Sequence, residues 1–145
     1  MLKIAFDNIY IYPLEKDHRF PMVKYELIPQ QLIREGTCTK SNFFSPDKIQ
    51  DKDVLLTHDE EYYSRLSNLK LTKKEVRPIG FPMSRSLVER EKVIANGTIK
   101  CCEFSTKNGV SMNIAGGTHH AFSDRGEAFC MLNDQAIAAN YLIHK

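Results

Sequence analysis

Residues 110–121 read Val-Ser-Met-Asn-Ile-Ala-Gly-Gly-Thr-His-His-Ala, and this stretch decides how the rest of the chain is interpreted. Residues 110–115 are predominantly apolar and predict a short buried strand. The two glycines that follow permit a sharp turn, because glycine tolerates a positive φ that other residues resist. The adjacent histidines therefore leave the carboxyl end of a strand, and in open α/β sheets ligands bind at that edge.

The elements around this stretch alternate between strand and helix patterns. Strands are predicted at residues 2–6, 54–57 and 110–115. Helices are predicted from about residue 21, from residue 59, from residue 86 and from residue 134. Pro29 is expected to kink the first helix or divide it in two, and residues 37–52 are expected to form a loop. This alternation predicts an α/β fold in which helices cover a parallel sheet.

Composition narrows the class of protein. The 145 residues are 42% hydrophobic and 26% charged, which is ordinary for a globular domain with a core. A net charge of +2 gives no reason to expect binding to nucleic acid or to an anionic membrane. Neither a signal peptide nor an apolar run of membrane-spanning length is recognised. The four cysteines lack Cys-x-x-Cys spacing. We therefore expect a cytoplasmic protein with reduced thiols.

Three of the five histidines lie in patterns that invite a chemical interpretation. Imidazole titrates near neutral pH, so His119 and His120 are candidates for a general acid–base pair. The alternative is a loop pair without a chemical role, or one that caps a backbone group. The pair His58-Asp59 follows a predicted strand and precedes a predicted helix. We interpret His58 as structural and Asp59 as a helix cap.

Three separated motifs carry a resemblance to a known family. They are Asp-His-Arg-Phe-Pro-Met-Val-Lys-Tyr-Glu-Leu at 17–27, Leu-Leu-Thr-His-Asp-Glu-Glu-Tyr at 55–62, and Gly-Gly-Thr-His-His-Ala at 116–121 with Phe-Cys-Met-Leu-Asn-Asp at 129–134. Together they resemble the zinc-dependent histone deacetylase superfamily, in particular its class IV and bacterial acetoin-utilisation-like branch. The resemblance implies an open parallel sheet of the arginase/deacetylase type. Residues 1–145 would form a single partial domain with the first three strands, the first in the middle, and without the C-terminal half.

The resemblance also assigns roles to residues of the third motif. His119 and His120 match the tandem histidines that contact the zinc-bound water and the substrate carbonyl, one of them acting as general base. Phe129 matches an aromatic wall of a narrow tunnel for the acyl-lysine stem, although core packing is an equal alternative. Gly117 and Ala128 are further substrate-binding candidates. Ala128 replaces the usual glycine, and its methyl group would crowd the tunnel.

The first motif contributes Arg19, which matches a loop near the catalytic cavity in the family. An exposed Arg19 in a surface ion pair is the alternative. The family binds zinc through an Asp-x-His motif and a later Asp, and neither motif occurs in this sequence. We therefore expect zinc as the cofactor of the family and no metal ligand in this chain.

The leading hypothesis is the N-terminal portion of a deacetylase that hydrolyses acyl-lysine or related acylated amines, inactive as the isolated chain. Its expected partners are the acylated substrate and either a second copy or a C-terminal deacetylase portion. One alternative is a non-catalytic interaction module that uses the exposed edge of the third strand. A third and weaker hypothesis is a small complete α/β enzyme that uses the histidine pair with a carboxylate such as Asp124.

Overall fold

The computed structural model describes residues 1–145, and its centre is a small parallel sheet. The strands are β1 (Lys3–Ala5), β2 (Phe43–Phe44) and β3 (Ser111–Asn113). Their order is β2-β1-β3, and both pairings are parallel. Ile4 of β1 lies opposite Phe43 on one side and Met112 on the other. The predicted parallel α/β sheet with the first strand in the middle is therefore confirmed.

Six α-helices surround this sheet. They are α1 (Lys24–Arg34), α2 (Asp51–Val54), α3 (Glu60–Ser67), α4 (Lys73–Ile79), α5 (Arg85–Asn108) and α6 (Asp134–His144). Two short 3₁₀ helices occupy Asn8–Tyr10 and Lys40–Asn42. No helix combines the length and the apolar character that crossing a membrane requires.

The second strand lies elsewhere than the sequence predicted. Val54 ends α2, and residues 55–57 form a turn, so the strand predicted at 54–57 is wrong. The real β2 is Phe43–Phe44, inside the segment predicted to be a loop. A four-residue apolar run does not distinguish a strand from a helix end, and a two-residue strand is too short to show alternation. Asp51 and Asp53 in the first turn suit a helix start here.

Capping hydrogen bonds mark several helix starts, and some helix boundaries differ from the predicted ones. Thr72 and Glu75 form a capping box at the start of α4. α5 begins at Arg85, one residue earlier than predicted. Ser84 is its N-cap, since the Ser84 hydroxyl accepts a hydrogen bond from the backbone N–H of Leu87 at 3.1 Å. Asp59 precedes α3 at the N-cap position, but its side chain accepts no capping bond. α1 runs through Pro29 as one helix, so the division into two helices does not occur.

Helix α5 is the central support of the fold. It packs against α6, β1 and β3. Leu87, Ile94 and Ile99 on this helix are almost fully buried, and burying each such side chain contributes about 1.5–3 kcal/mol. Gly97 lies where α5 passes closest to its neighbours: a Cβ there would meet the Tyr10 Oη at 2.7 Å and the Asn113 Nδ2 at 2.8 Å.

Candidate active site

Asp134, the first residue of α6, holds the loop after β3 through hydrogen bonds. Asp134 is 1% exposed, and its two carboxylate oxygens accept the backbone N–H groups of Gly117 at 2.9 Å and Thr118 at 2.8 Å. The Thr98 hydroxyl of α5 also donates to this carboxylate, at 2.5 Å. Gly117 has a φ of +94°, which glycine adopts without strain. The turn beneath the histidines is therefore fixed by α5 and α6 together.

Asn133 and Asp134 have different roles at the start of α6. Only Asn133 caps α6, since its Oδ1 accepts from the backbone N–H of Ala136 at 3.0 Å. The role of Asp134 as an anchor for the turn was missed, because the 16-residue separation between Asp134 and Thr118 gives no local sequence signal. A buried carboxylate that receives several N–H bonds is typical of such anchors.

The two predicted catalytic histidines lie side by side on this loop. The imidazole rings of His119 and His120 have centroids 4.3 Å apart, and both side chains are exposed. The Nδ1 of His119 lies 2.9 Å from the carbonyl oxygen of Gly117. A carbonyl can only accept, so we assign the hydrogen of the neutral ring to Nδ1. The Nε2 of His119 then keeps a free lone pair, as a general base requires.

A cavity of about 160 Å³ lies beside the histidine pair. His120 contributes to its wall, whereas His119 does not. The substrate-binding candidates Gly117, Ala128 and Phe129 all line it. The remaining lining residues are Phe20, Lys24, Tyr25, Phe81, Arg90, Ala115, Gly116, Thr118 and Cys130. The structure thus brings His120 and the predicted tunnel residues to one small space that is lined by both apolar and polar residues.

The apolar wall of this cavity is an aromatic cluster. The ring of Phe129 has its centroid 5.0 Å from those of both Phe20 and Phe81, which is close aromatic packing. Arg19 is exposed, forms no salt bridge, and places its guanidinium carbon 4.8 Å from the centre of the Phe129 ring. Phe129 therefore both packs into a cluster and faces the cavity, and Arg19 covers its outer side.

The backbone before and at Phe129 adopts an unusual conformation. Ala128 and Phe129 have φ values of +47° and +67°, where residues other than glycine are strained. Two hydrogen bonds stabilise this conformation. The backbone N–H of Ala128 donates to the carbonyl of Pro78 at 2.9 Å, and that of Phe129 donates to the carbonyl of Ile79 at 2.7 Å. A glycine at position 128 would adopt this conformation at no steric cost.

Arg90, which lines the cavity, belongs to a buried ion pair that the sequence did not indicate. Arg90 is 2% exposed, and its Nη1 lies 2.6 Å from the Oε1 of Glu91, which is 1% exposed. The Nε of Arg90 donates to the carbonyl of Tyr10 at 2.8 Å. Burial raises the pKa of Glu91 to about 7 in spite of the arginine beside it. Burial also raises the pKa of Cys130 to about 11, so its thiol stays protonated near neutral pH.

The residues present do not form a zinc site. Nowhere do three or more His, Cys, Asp or Glu side chains come together in a group that could hold a metal ion. The oxygens of Asp134 are already bonded to the turn. Asp124 is exposed, pairs with Arg125 at 2.9 Å and lies outside the cavity wall. The histidine pair is therefore a candidate for proton transfer, and the residues described contain no group that could hold a metal ion.

The fold is that of an α/β protein with a parallel sheet. Its candidate acid–base site is the histidine pair at the carboxyl edge of that sheet, beside a cavity with an aromatic wall. The model of the histone deacetylase domain matches residues 18–145. The chain therefore belongs to the histone deacetylase family.

Individual relatives agree with this assignment. An uncharacterised protein of Picosynechococcus is 36% identical over 135 residues, covering 93% of this chain and 45% of that protein. Histone deacetylase 2 of Arabidopsis thaliana is 26% identical, covering 92% of this chain and 36% of that protein. The crystal structure of a histone deacetylase homologue from Aquifex aeolicus superimposes with a TM-score of 0.79 at 22% identity, covering 99% of this chain and 41% of that one. The chain spans less than half the length of each of these relatives.

Proposed function

We propose that residues 1–145 form a single partial domain, the N-terminal portion of a deacetylase that hydrolyses acyl-lysine or related acylated amines. The observation that supports this most strongly is the placement of His120 and Phe129 on the wall of one cavity, with the ring of His119 next to that of His120. In this proposal the histidine pair moves protons to and from the reacting groups. Phe129 excludes water from the aliphatic stem of the substrate, and Gly117 and Ala128 line the same passage.

The proposal assigns the metal to another polypeptide segment. Zinc hydrolysis uses three protein ligands and an open position for water, and no such group exists among residues 1–145. We propose that a C-terminal deacetylase portion with the Asp-x-His motif supplies the ligands. Arg19 remains a candidate for the rim of the cavity, because it lies on the outer side of Phe129.

The test compares the chain alone with the chain fused to a deacetylase segment that bears the Asp-x-His motif. We expect the chain alone to hold no zinc after dialysis against a weak chelator and to release no acetate from an acetyl-lysine peptide. The fusion should do both. Replacement of His120 by Gln in the fusion should lower kcat by about 10²–10⁴-fold, the usual contribution of a general acid–base group.

The matched control for this substitution is His144→Gln, because His144 is exposed at the end of α6 and outside the cavity wall. The control should retain the activity of the fusion. Tightly bound zinc in the chain alone would contradict the proposed division of the site. Equal activity in the His120→Gln and His144→Gln fusions would contradict the role of the pair.

A second candidate, from a different class, is a non-catalytic interaction module. It is favoured by the position of β3 at the sheet edge, together with the exposure of Val110 (59%) and Met112 (43%). An open edge with apolar side chains invites another strand. Under either hypothesis we expect self-association or assembly with a C-terminal portion, and a monomer by light scattering at low micromolar concentration would count against self-association.

A further inference from the structure

The histidine pair lies in a loop without regular secondary structure, and both of its ends are tied to the start of α6. On the near side, Asp134 accepts the N–H groups of Gly117 and Thr118. On the far side, the Nδ2 of Asn133 donates to the carbonyl of His119 at 3.3 Å and to that of Ala121 at 3.0 Å. The backbone of the pair is thus held between two consecutive side chains of one helix end.

The position of Asn133 depends in turn on His58, which is 3% exposed. The Nε2 of His58 accepts the backbone N–H of Asn133 at 3.0 Å. Its Nδ1 lies 3.2 Å from the carbonyl oxygen of Ser123. His58 therefore joins the start of α6 to the loop three residues after His120, and closes a ring of hydrogen bonds around the pair.

These two partners leave His58 one compatible state. An amide N–H only donates and a carbonyl only accepts, so Nε2 must be unprotonated and Nδ1 must carry the hydrogen. Burial lowers the pKa of His58, which favours this neutral form. The Tyr62 ring lies 5.9 Å from it, and the Tyr62 hydroxyl donates to the carbonyl of Met131 at 2.9 Å, so α3 supports the same segment.

We propose that His58 and Asn133 are positioning residues for the acid–base pair: through this ring of hydrogen bonds they set the orientation of the His119 and His120 imidazoles. Neither residue lines the cavity, and neither needs to touch a substrate. This inference rests on the proposed function for its significance, but the geometry it concerns is measurable without substrate, metal or turnover.

The deciding variant is Asn133→Ser. Serine keeps the N-cap of α6, because its hydroxyl caps about as well as the Asn side chain, and it removes the Nδ2 that holds the His119 and Ala121 carbonyls. The matched control is Asn140→Ser on the same helix, where the lost amide contacts only the Leu56 carbonyl and Thr57 hydroxyl. His58→Phe removes both hydrogen bonds of the His58 side chain and keeps a side chain of similar size. His58→Gln can restore one donor and one acceptor.

The measurement is the long-range ¹H–¹⁵N NMR spectrum of the imidazoles in residues 1–145, followed through a pH titration. In the unmodified chain we expect His119 mainly as the Nδ1–H tautomer. In Asn133→Ser and His58→Phe this form should give way to a mixture with the Nε2–H tautomer, and the His119 and His120 titrations should shift. Asn140→Ser should leave them unchanged, and His58→Gln should recover part of the original spectrum.

The amide signals of Gly117 and Thr118 report whether the anchored turn and the fold persist in each variant. If His58→Phe does not fold, Asn133→Ser decides alone. Unchanged imidazole tautomers and titrations in a folded Asn133→Ser variant would overturn the proposal. The NMR measurement does not depend on whether the fusion enzyme deacetylates its substrate. The positioning role of His58 and Asn133 and the proposed deacetylase function can therefore be refuted independently.

Discussion

Replacing Gly97 by Ala separates helix propensity from packing. Gly97 lies inside the 24-residue helix α5, where propensity alone favours alanine by about 1 kcal/mol. The structure opposes this, because the new Cβ would lie 2.7 Å from the Tyr10 Oη and 2.8 Å from the Asn113 Nδ2. Tyr10 is fully buried, and the Asn113 amide is held by Ile94 and Thr98, so neither can withdraw without loss.

Overpacking of a filled interior costs about 1–3 kcal/mol. Because the new Cβ would meet two constrained groups at under 3.0 Å, we take the upper part of that range, about 2–3 kcal/mol. After the gain in propensity, we expect a net loss of about 1–2 kcal/mol in the free energy of unfolding. For a chain of this size the melting temperature should fall by about 2–8 °C. Urea unfolding followed by circular dichroism measures the change, with Lys107→Ala as a control on an exposed position of α5. The control should stay within about 0.5 kcal/mol. A Gly97→Ala variant that is more stable than the unmodified chain would refute the packing argument.

Three further predictions concern strain, protonation and capping. Ala128→Gly should stabilise the chain by about 0.5–1 kcal/mol in urea unfolding, because glycine relieves the positive φ of 47°; a loss of stability would show that the methyl group packs favourably. Because burial lowers the pKa of His58, the unfolded chain binds a proton more readily as the pH falls below about 6.5. Stability should therefore fall from pH 7.5 to 5.5 more steeply than in His58→Gln, and parallel curves would exclude this contribution. Thr72→Ala removes the capping box with Glu75 and should cost about 1 kcal/mol by thermal unfolding, whereas no change would mean that the cap is dispensable.

Much of the candidate site could be predicted from the sequence because its chemistry is local. A strand, two glycines and two histidines in succession place the pair at the carboxyl edge of the sheet wherever the rest of the chain lies. The motif at 129–134 begins nine residues after His120, and this short connection keeps Phe129 near the pair. Capping boxes such as Thr72–Glu75 are equally local, since both partners lie within one helical turn.

Other features became visible only in three dimensions. The second strand was placed at 54–57 although it is Phe43–Phe44, because pairing with β1 creates a strand too short to leave a pattern. Gly97 lies inside α5, and the positions of Tyr10 and Asn113 beside it show why a side chain does not fit there. These partners lie 16 or more residues apart in the sequence, beyond the reach of any helical or strand periodicity.

The sequence by itself indicated the family of this protein, the alternation of strands and helices, and the identity of its histidine pair, because short motifs and periodic patterns encode them. The tertiary structure decided what holds that pair in place. Asp134, Asn133 and His58 act through hydrogen bonds to backbone groups 12 to 75 residues away. Backbone N–H and C=O groups are the same at every position, so such partners are chosen by the fold and not by a motif.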